Sequence, residues 1–222
     1  MYYKNIIIIV NFFFSLAFLL LLTIIFLMQT PHFLQEDANI SFLSAFKTQA
    51  TTKYLFDITT TDDVMMLPEL FWFAREGGLP IVIVGGGTNC LFAFDRYEGI
   101  FIHNRLTGYS EPYEHDGKRL IRIQSGEITT TFASKLYQHY GVSTLIPWVG
   151  LPGTMGGACI GNAGCFGLEM KDLLIEATIL DIDTGEKQVM KNADIHYGYR
   201  ESILKGNERY FVIDMLLDIS PK

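Results

Sequence analysis

The chain has little of what builds disulfide scaffolds, metal centres or nucleic-acid surfaces. Among its 222 residues there are three cysteines, Cys90, Cys159 and Cys165, and no two stand in a CxxC arrangement. That argues against a disulfide framework and against structural zinc, and it suits a reducing compartment. None of the five histidines falls in an HExxH-type pair, so no metal site is expected, and each reads as an ordinary surface or hydrogen-bonded side chain. Basic residues are also scarce. Seventeen Lys and Arg stand against 24 Asp and Glu, a net charge of −7, which gives no support to a nucleic-acid partner. No repeat or low-complexity linker is visible after residue 30.

One long hydrophobic run is present. Between Ile6 and Met28 only Asn11, Ser15 and Thr23 are polar. A helix of that length spans ~34 Å, enough for a bilayer. Residues 1–28 therefore read in two ways: as a transmembrane anchor through residues 6–28, or as untranslated AT-rich sequence ahead of a start at Met28. Lys4 before the run, and Glu36 and Asp37 after it, weakly place the amino terminus inside and the rest outside if the anchor is real.

Beyond the run the pattern is mixed α+β. Residues 29–40 read as a polar lead-in and Tyr54–Ile58 as a short strand, followed by a threonine-rich turn. Pro68 fits the first turn of a helix ending near Glu76, with Gly77-Gly78 as its stop. Ile81–Val84 reads as a buried strand because both faces are apolar, and Gly99–His103 as another. Residues 41–105 thus form a first compact unit. In residues 106–222, Thr107–Gly117 is turn-like and Leu120–Ser125 alternates as a strand. Ile128–Tyr140 is helical, with Phe132, Leu136 and Tyr140 on one face and Gly141 as its stop. Leu174–Asp183 and Lys187–Met190 form a hairpin around Thr184-Gly185, and Tyr210–Ile219 is a last strand.

Two glycine-rich segments carry the chemistry. Gly85-Gly86-Gly87-Thr88-Asn89 follows the apolar strand directly, and Gly150-Leu151-Pro152-Gly153-Thr154-Met155-Gly156-Gly157 continues to Gly161-Asn162-Ala163-Gly164-Cys165-Phe166-Gly167. The first lacks the third glycine and the acidic residue of a dinucleotide fingerprint, and the lysine of a P-loop. What remains is a strand, exposed amides and a hydroxyl, which suit a diphosphate; a plain tight turn has the same appearance. The second holds seven glycines in eighteen residues. That density fits close approach of backbone to a ligand, and Pro152-Gly153 reads as the start of a short helix facing an anion. The alternative is a buried crossing where two backbones touch. Together the two loops favour a long phosphate-bearing cofactor.

Gly85–Phe92 resembles the pyrophosphate loop of the UDP-N-acetylenolpyruvoylglucosamine reductase family. Gly150–Glu169 is similar to that family's second flavin loop, and His196-Tyr197-Gly198-Tyr199-Arg200-Glu201-Ser202 to its Tyr-Arg-Asp-Ser motif. The resemblance covers about Leu43–Pro221. It implies a two-lobed FAD-binding fold of the vanillyl-alcohol-oxidase type, with FAD as cofactor, NADPH as reductant and a UDP-sugar as substrate. On that basis Gly85, Gly86, Gly87, Thr88, Asn89, Pro152, Gly153, Gly156, Gly157, Asn162 and Gly164 bind cofactor. Arg200 is catalytic, and Tyr199 positions substrate. Such an enzyme draws on cytoplasmic NADPH, which conflicts with an outward-facing anchored form.

The match departs in three places. Cys165 and Phe166 replace the family's Ala and Tyr, and the amino-terminal Asn-Thr-Phe is unclear in Phe46-Lys47-Thr48. The family's third domain, which holds its proton-donating serine and a glutamate, has no counterpart here. A separate chain supplying it, a gene fragment, a non-catalytic flavin module and a membrane-anchored flavoprotein with another acceptor all stay open.

Overall fold

A computed structural model describes residues 30–221. The apolar run lies outside the described residues. Among those described, no helix is long and apolar enough to cross a membrane. Every strand and helix below belongs to the unit that begins at Gln35.

The first sheet has four strands in the order β1 (Gln35–Asn39), β2 (Thr51–Ile58), β4 (Arg96–Asn104), β3 (Ile81–Val84). β2, β4 and β3 run parallel, while β1 pairs antiparallel to β2. Parallel strands need crossovers, and two helices supply one. α1 (Thr61–Met65) is opened by a capping box between Thr60 and Asp63. α2 (Leu67–Gly77) carries Pro68 in its first turn and ends on Gly78 at φ 60°. The threonine-rich turn expected after β2 is therefore the entry to a helix. The expected polar lead-in contains β1, an exposed edge strand held by its ladder to β2 rather than by burial.

β3 corrects an expectation. It is an edge strand, and Ile83 is 41% exposed rather than buried. Its apolar side faces a cleft.

The second sheet has five strands, β10 (Glu186–Lys191), β9 (Leu174–Asp181), β11 (Tyr210–Asp218), β6 (Lys118–Gln124) and β5 (Tyr113–His115), all antiparallel. β5 lies in the stretch expected to be only turn; its residues are all exposed, so no apolar alternation announces it. α3 (Thr129–Tyr140) buries Phe132 and Leu136 against the sheet and stops at Gly141, φ 65°. The core between them includes Ile121, Ile123, Ile179, Met215 and Trp148, each fully buried. The indole of Trp148 donates to the Leu168 carbonyl at 3.1 Å, so its one polar group is satisfied inside the core.

A short helix α4 (Met155–Ile160), a two-stranded ribbon of β7 (Gly164–Cys165) and β8 (Leu168–Glu169), and a single turn α5 (Met170–Leu173) complete the unit. α4 begins at Met155, capped by the Thr154 hydroxyl, two residues later than Pro152-Gly153 suggested. The two sheets meet at Ser125, which is fully buried. Its hydroxyl accepts from Asn104 at 2.8 Å, its amide donates to Ile213 at 2.9 Å, and its carbonyl accepts from Gly156 at 2.7 Å. The end of β4, the strand β11 and the helix α4 are thereby fixed to one residue.

Candidate active site

The two glycine segments converge. A methyl group at Gly86 would stand 3.5 Å from Cα of Gly153, and one at Gly153 would lie 3.4 Å from the Thr88 hydroxyl. One at Gly85 would collide with the Thr154 hydroxyl. The first loop is braced from below by residues 41–50. The Ala45 amide donates to the Gly87 carbonyl at 3.1 Å, and the Ser44 hydroxyl to that of Cys90 at 2.8 Å. Gly87, at φ 63°, has the Leu43 carbonyl against the position of any side chain. The second turn rests on the start of α3. Thr129 donates to the Gly153 carbonyl from its amide at 3.0 Å and its hydroxyl at 3.2 Å, while the Thr130 hydroxyl accepts from Gly150 at 2.7 Å. Gly153 sits at φ 109°, a conformation only glycine adopts freely.

Both loops carry backbone N–H groups without internal acceptors. The five consecutive amides of residues 85–89, and those of Gly153 and Thr154, donate to no group among the described residues. Amides left without carbonyl partners beside two turns form an anion-binding concavity. The adjoining cleft, about 330 Å³, is lined by Ile81, Ile83, Gly85, Thr154, Gly157 and Tyr210 among others. An aromatic or apolar ligand body fits its walls.

α4 leads from this cleft to a second one. Its six residues rise ~9 Å. Beyond its end a pocket of about 430 Å³ is lined by Asn162, Gly164, Phe166, Lys171, Tyr199 and Arg200, with Glu169 and Asp172. The Arg200 guanidinium donates to the Gly164 carbonyl at 3.2 Å and has no carboxylate oxygen within 4.0 Å among the described residues. Glu201, its sequence neighbour, pairs instead with Lys205 at 2.8 Å. Tyr199 is 85% exposed at the pocket rim. Lys171, at 2.8 Å, and then the Asn162 amide at 2.9 Å hold the Glu169 carboxyl below the ordinary range. Three residues lining this pocket, Asn162, Phe166 and Arg200, have positive φ of 42°, 50° and 56°. Such backbone costs about 1–2 kcal/mol per residue and tends to gather where a site dictates geometry.

The site residues named from sequence therefore fall in two groups. Gly85, Gly156 and Gly157 line the first cleft; Gly86, Thr88 and Gly153 meet where the two loops approach, Gly87 packs on Leu43, and Asn89 follows in the same loop; Asn162, Gly164, Tyr199 and Arg200 line the arginine pocket. Pro152 is exposed and lines neither cavity. The backbone-crossing alternative also holds at particular positions. A methyl on Gly156 would stand 2.8 Å from Ser125 Cβ, and one on Gly164 2.7 Å from Glu169 Cγ, so packing alone requires those glycines. Asn162 is 2% exposed, with its side-chain groups engaged inside the chain. Three contributors were not singled out from sequence. Thr154 carried a helix-capping signal; Lys171 and Glu169 carried none, because only the fold brings them to Arg200.

A family model described as FAD binding domain matches residues 58–190. The chain belongs to that family. It is 34% identical over 156 residues to UDP-N-acetylenolpyruvoylglucosamine reductase of Neisseria gonorrhoeae, covering 69% of this chain and 43% of that one. It is 32% identical over 175 residues to the enzyme of the same name from Chloroflexus aurantiacus, covering 79% and 57%. The chain thus spans about half the length of the curated relatives it matches. The crystal structure of UDP-N-acetylenolpyruvylglucosamine reductase from Thermus caldophilus superposes with a TM-score of 0.63 at 19% identity, over 86% of this chain and 64% of that one. The fold is the two-lobed α+β FAD-binding fold expected from the motifs.

Proposed function

We propose that this chain is the flavin-binding part of an FAD-dependent reductase that converts UDP-N-acetylglucosamine enolpyruvate to UDP-N-acetylmuramate, with NADPH as reductant, in the cytoplasm. The observation that carries the reading is the pair of facing loops whose amides have no internal acceptor, joined by α4 to an arginine without a carboxylate partner. The amides of residues 85–89, Gly153 and Thr154 are the donors for the diphosphate of FAD, whose charge matches seven aligned N–H groups. When bound, FAD carries hydride from NADPH to the enolpyruvyl double bond.

The chain's own contribution is electrostatic. Hydride addition at the β-carbon leaves negative charge spread toward the substrate carboxylate. The Arg200 guanidinium, planar and permanently charged, stabilises that charge through paired N–H donors. Among the described residues it makes one hydrogen bond, to a neutral carbonyl, which leaves further donors free for substrate. Tyr199, on the rim, orients the sugar or the flavin. Lys171 adds positive charge to the same pocket, already partly balanced by Glu169.

The test starts with the absorption spectrum of the chain purified after incubation with FAD. A flavin spectrum retained through gel filtration supports the cleft assignment, and a colourless protein refutes it. NADPH oxidation is then followed on addition of the enolpyruvyl substrate, with and without the carboxy-terminal half of a relative. Turnover lost by Arg200→Ala with FAD retained supports the role of Arg200; turnover unchanged in that variant removes it. Retained FAD with no turnover in either mixture marks a non-catalytic flavin module.

A further inference from the structure

We infer that Asn162 is a positioning residue, which fastens the turn carrying Arg200 to the end of the glycine segment and so sets where the guanidinium stands. This rests on the reading of Arg200 as the group that meets the substrate anion.

The turn itself has little to hold it. Residues 198–201 are closed by a single bridge between Gly198 and Glu201, at 3.0 and 3.4 Å, and Arg200 within it has φ 56°. Without outside contacts such a turn relaxes toward an unstrained backbone. The outside contacts come from Lys205, whose ammonium donates to the Arg200 carbonyl at 2.8 Å, and from residues 159–164. The Asn162 side-chain amide donates to the Gly198 carbonyl at 2.9 Å and, with its other hydrogen, to Glu169 at 2.9 Å; its carbonyl accepts from the Lys171 amide at 3.0 Å. One nearly buried side chain thus ties together the glycine segment, the Arg200 turn and the first turn of α5. The neighbouring fastenings lie on either side: Tyr197 hydroxyl to Cys159 sulfur at 3.3 Å, and Ser202 hydroxyl to the Ile160 carbonyl at 2.6 Å. Of the three, only Asn162 bonds a residue of the turn itself, at its first position, Gly198.

Asn162 is itself left-handed, at φ 42°, so alanine there would add backbone strain to the loss of hydrogen bonds. Asn162→Gly removes the side chain and keeps the backbone conformation accessible. In the FAD-loaded full chain, UDP-N-acetylmuramate is titrated and followed by the flavin spectrum. Asn162→Gly is expected to retain FAD within about threefold and to weaken the UDP ligand by about tenfold or more, since a misplacement near 1 Å is enough for such a loss. In an Arg200→Ala background the same change is expected to cost less than about twofold, because a residue acting through Arg200 has nothing left to position. Equal losses in both backgrounds overturn the inference and leave a general structural role. A wild-type chain that holds FAD and ignores the UDP ligand, even with the carboxy-terminal half of a relative added, refutes the proposed function instead. The crystal structure of Asn162→Gly then decides the inference: residues 198–201 displaced by about 1 Å support it, and an unmoved turn overturns it.

Discussion

Gly156 and Gly157 are adjacent in α4, and replacing each by alanine separates packing from ligand contact. By helix propensity alone either change should stabilise the helix by about 1 kcal/mol. At Gly156 the new methyl would stand 2.8 Å from Ser125 Cβ and 2.9 Å from the Ser125 carbonyl oxygen. Carbon contacts are optimal at about 3.5–4.0 Å, so the overlap approaches 1 Å against backbone that is fixed at both sheets. Overpacking of that kind costs about 1–3 kcal/mol, which over most of that range exceeds the propensity gain. The net expectation is a loss of up to about 2 kcal/mol, read as a fall in Tm of up to roughly 4–8 °C for a unit of this size. Gly157 is exposed in the cleft, and its new methyl would meet only the Thr154 hydroxyl, at an ordinary 3.5 Å. Gly157→Ala should therefore match or exceed the wild type in Tm without FAD. Its methyl projects where the cofactor is proposed to lie, so the stabilisation by saturating FAD, about 2.7 kcal/mol at a hundredfold excess over Kd, should shrink by at least about 1.4 kcal/mol. Thermal unfolding of both variants with and without FAD checks the pair. Gly156→Ala more stable than wild type would refute the packing argument, and an undiminished FAD shift in Gly157→Ala would refute the placement of the ligand.

Two titrations test the electrostatics. Burial pushes the Cys159 thiol up to about 11, and the Tyr197 hydroxyl only partly offsets this. A raised acid keeps its proton in the folded state, so the native chain binds more protons than the unfolded one between pH 9 and 11 and stability falls as pH rises through that window. The fall for this group is on the order of 2–3 kcal/mol, and denaturant melts at pH 8.5 and 11 should show a larger fall in the wild type than in Cys159→Ala, where the Tyr197 hydroxyl, also raised by burial, keeps a part of it; equal pH slopes would exclude the Cys159 contribution. Burial also lowers the His103 imidazole below its usual value, outweighing the Asp57 carboxylate 2.8 Å from Nδ1. The unfolded chain then takes up the proton first, so this group's contribution is present above the ordinary histidine pKa and is lost as pH falls toward the folded value. An NMR titration of His103 should give a midpoint below 6.5, lower still in Asp57→Asn, and a midpoint above 6.5 would contradict the assigned cause.

The elements legible in the sequence were those whose local signals and tertiary roles agree. The helix from Leu67 has its proline and its glycine stop, α3 has its stripe of Phe132 and Leu136, and the β9–β10 hairpin has Gly185 at φ 73°. The misreadings have a common cause. β1 and β5 are edge strands with almost no buried side chain, so they exist through ladder hydrogen bonds to a neighbour and leave no apolar pattern to read. β3 failed the other way. Its apolar run signalled burial, but at a sheet edge those side chains line a cleft.

The glycines divide along the same line between what is local and what is not. From sequence the glycines of the two loops favoured a ligand with a tight turn or a backbone crossing left open, since composition alone does not distinguish backbone meeting backbone from backbone meeting cofactor. The distances separate them. Gly156 and Gly164 are required by Ser125 and Glu169, whereas Gly150, Gly157 and Gly167 leave a side-chain position with no backbone of another segment against it. Packing glycines need no ligand to explain them, so the case for a cofactor cannot rest on glycine count. It rests on the amides of residues 85–89, Gly153 and Thr154, which sit on two loops in close approach and have no acceptor among the described residues. The brace from Ser44 and Ala45 below, and from Thr129 and Thr130 beside, holds them in that arrangement before any ligand arrives. Preorganisation of this kind would reduce the ordering cost of binding at the proposed cofactor site.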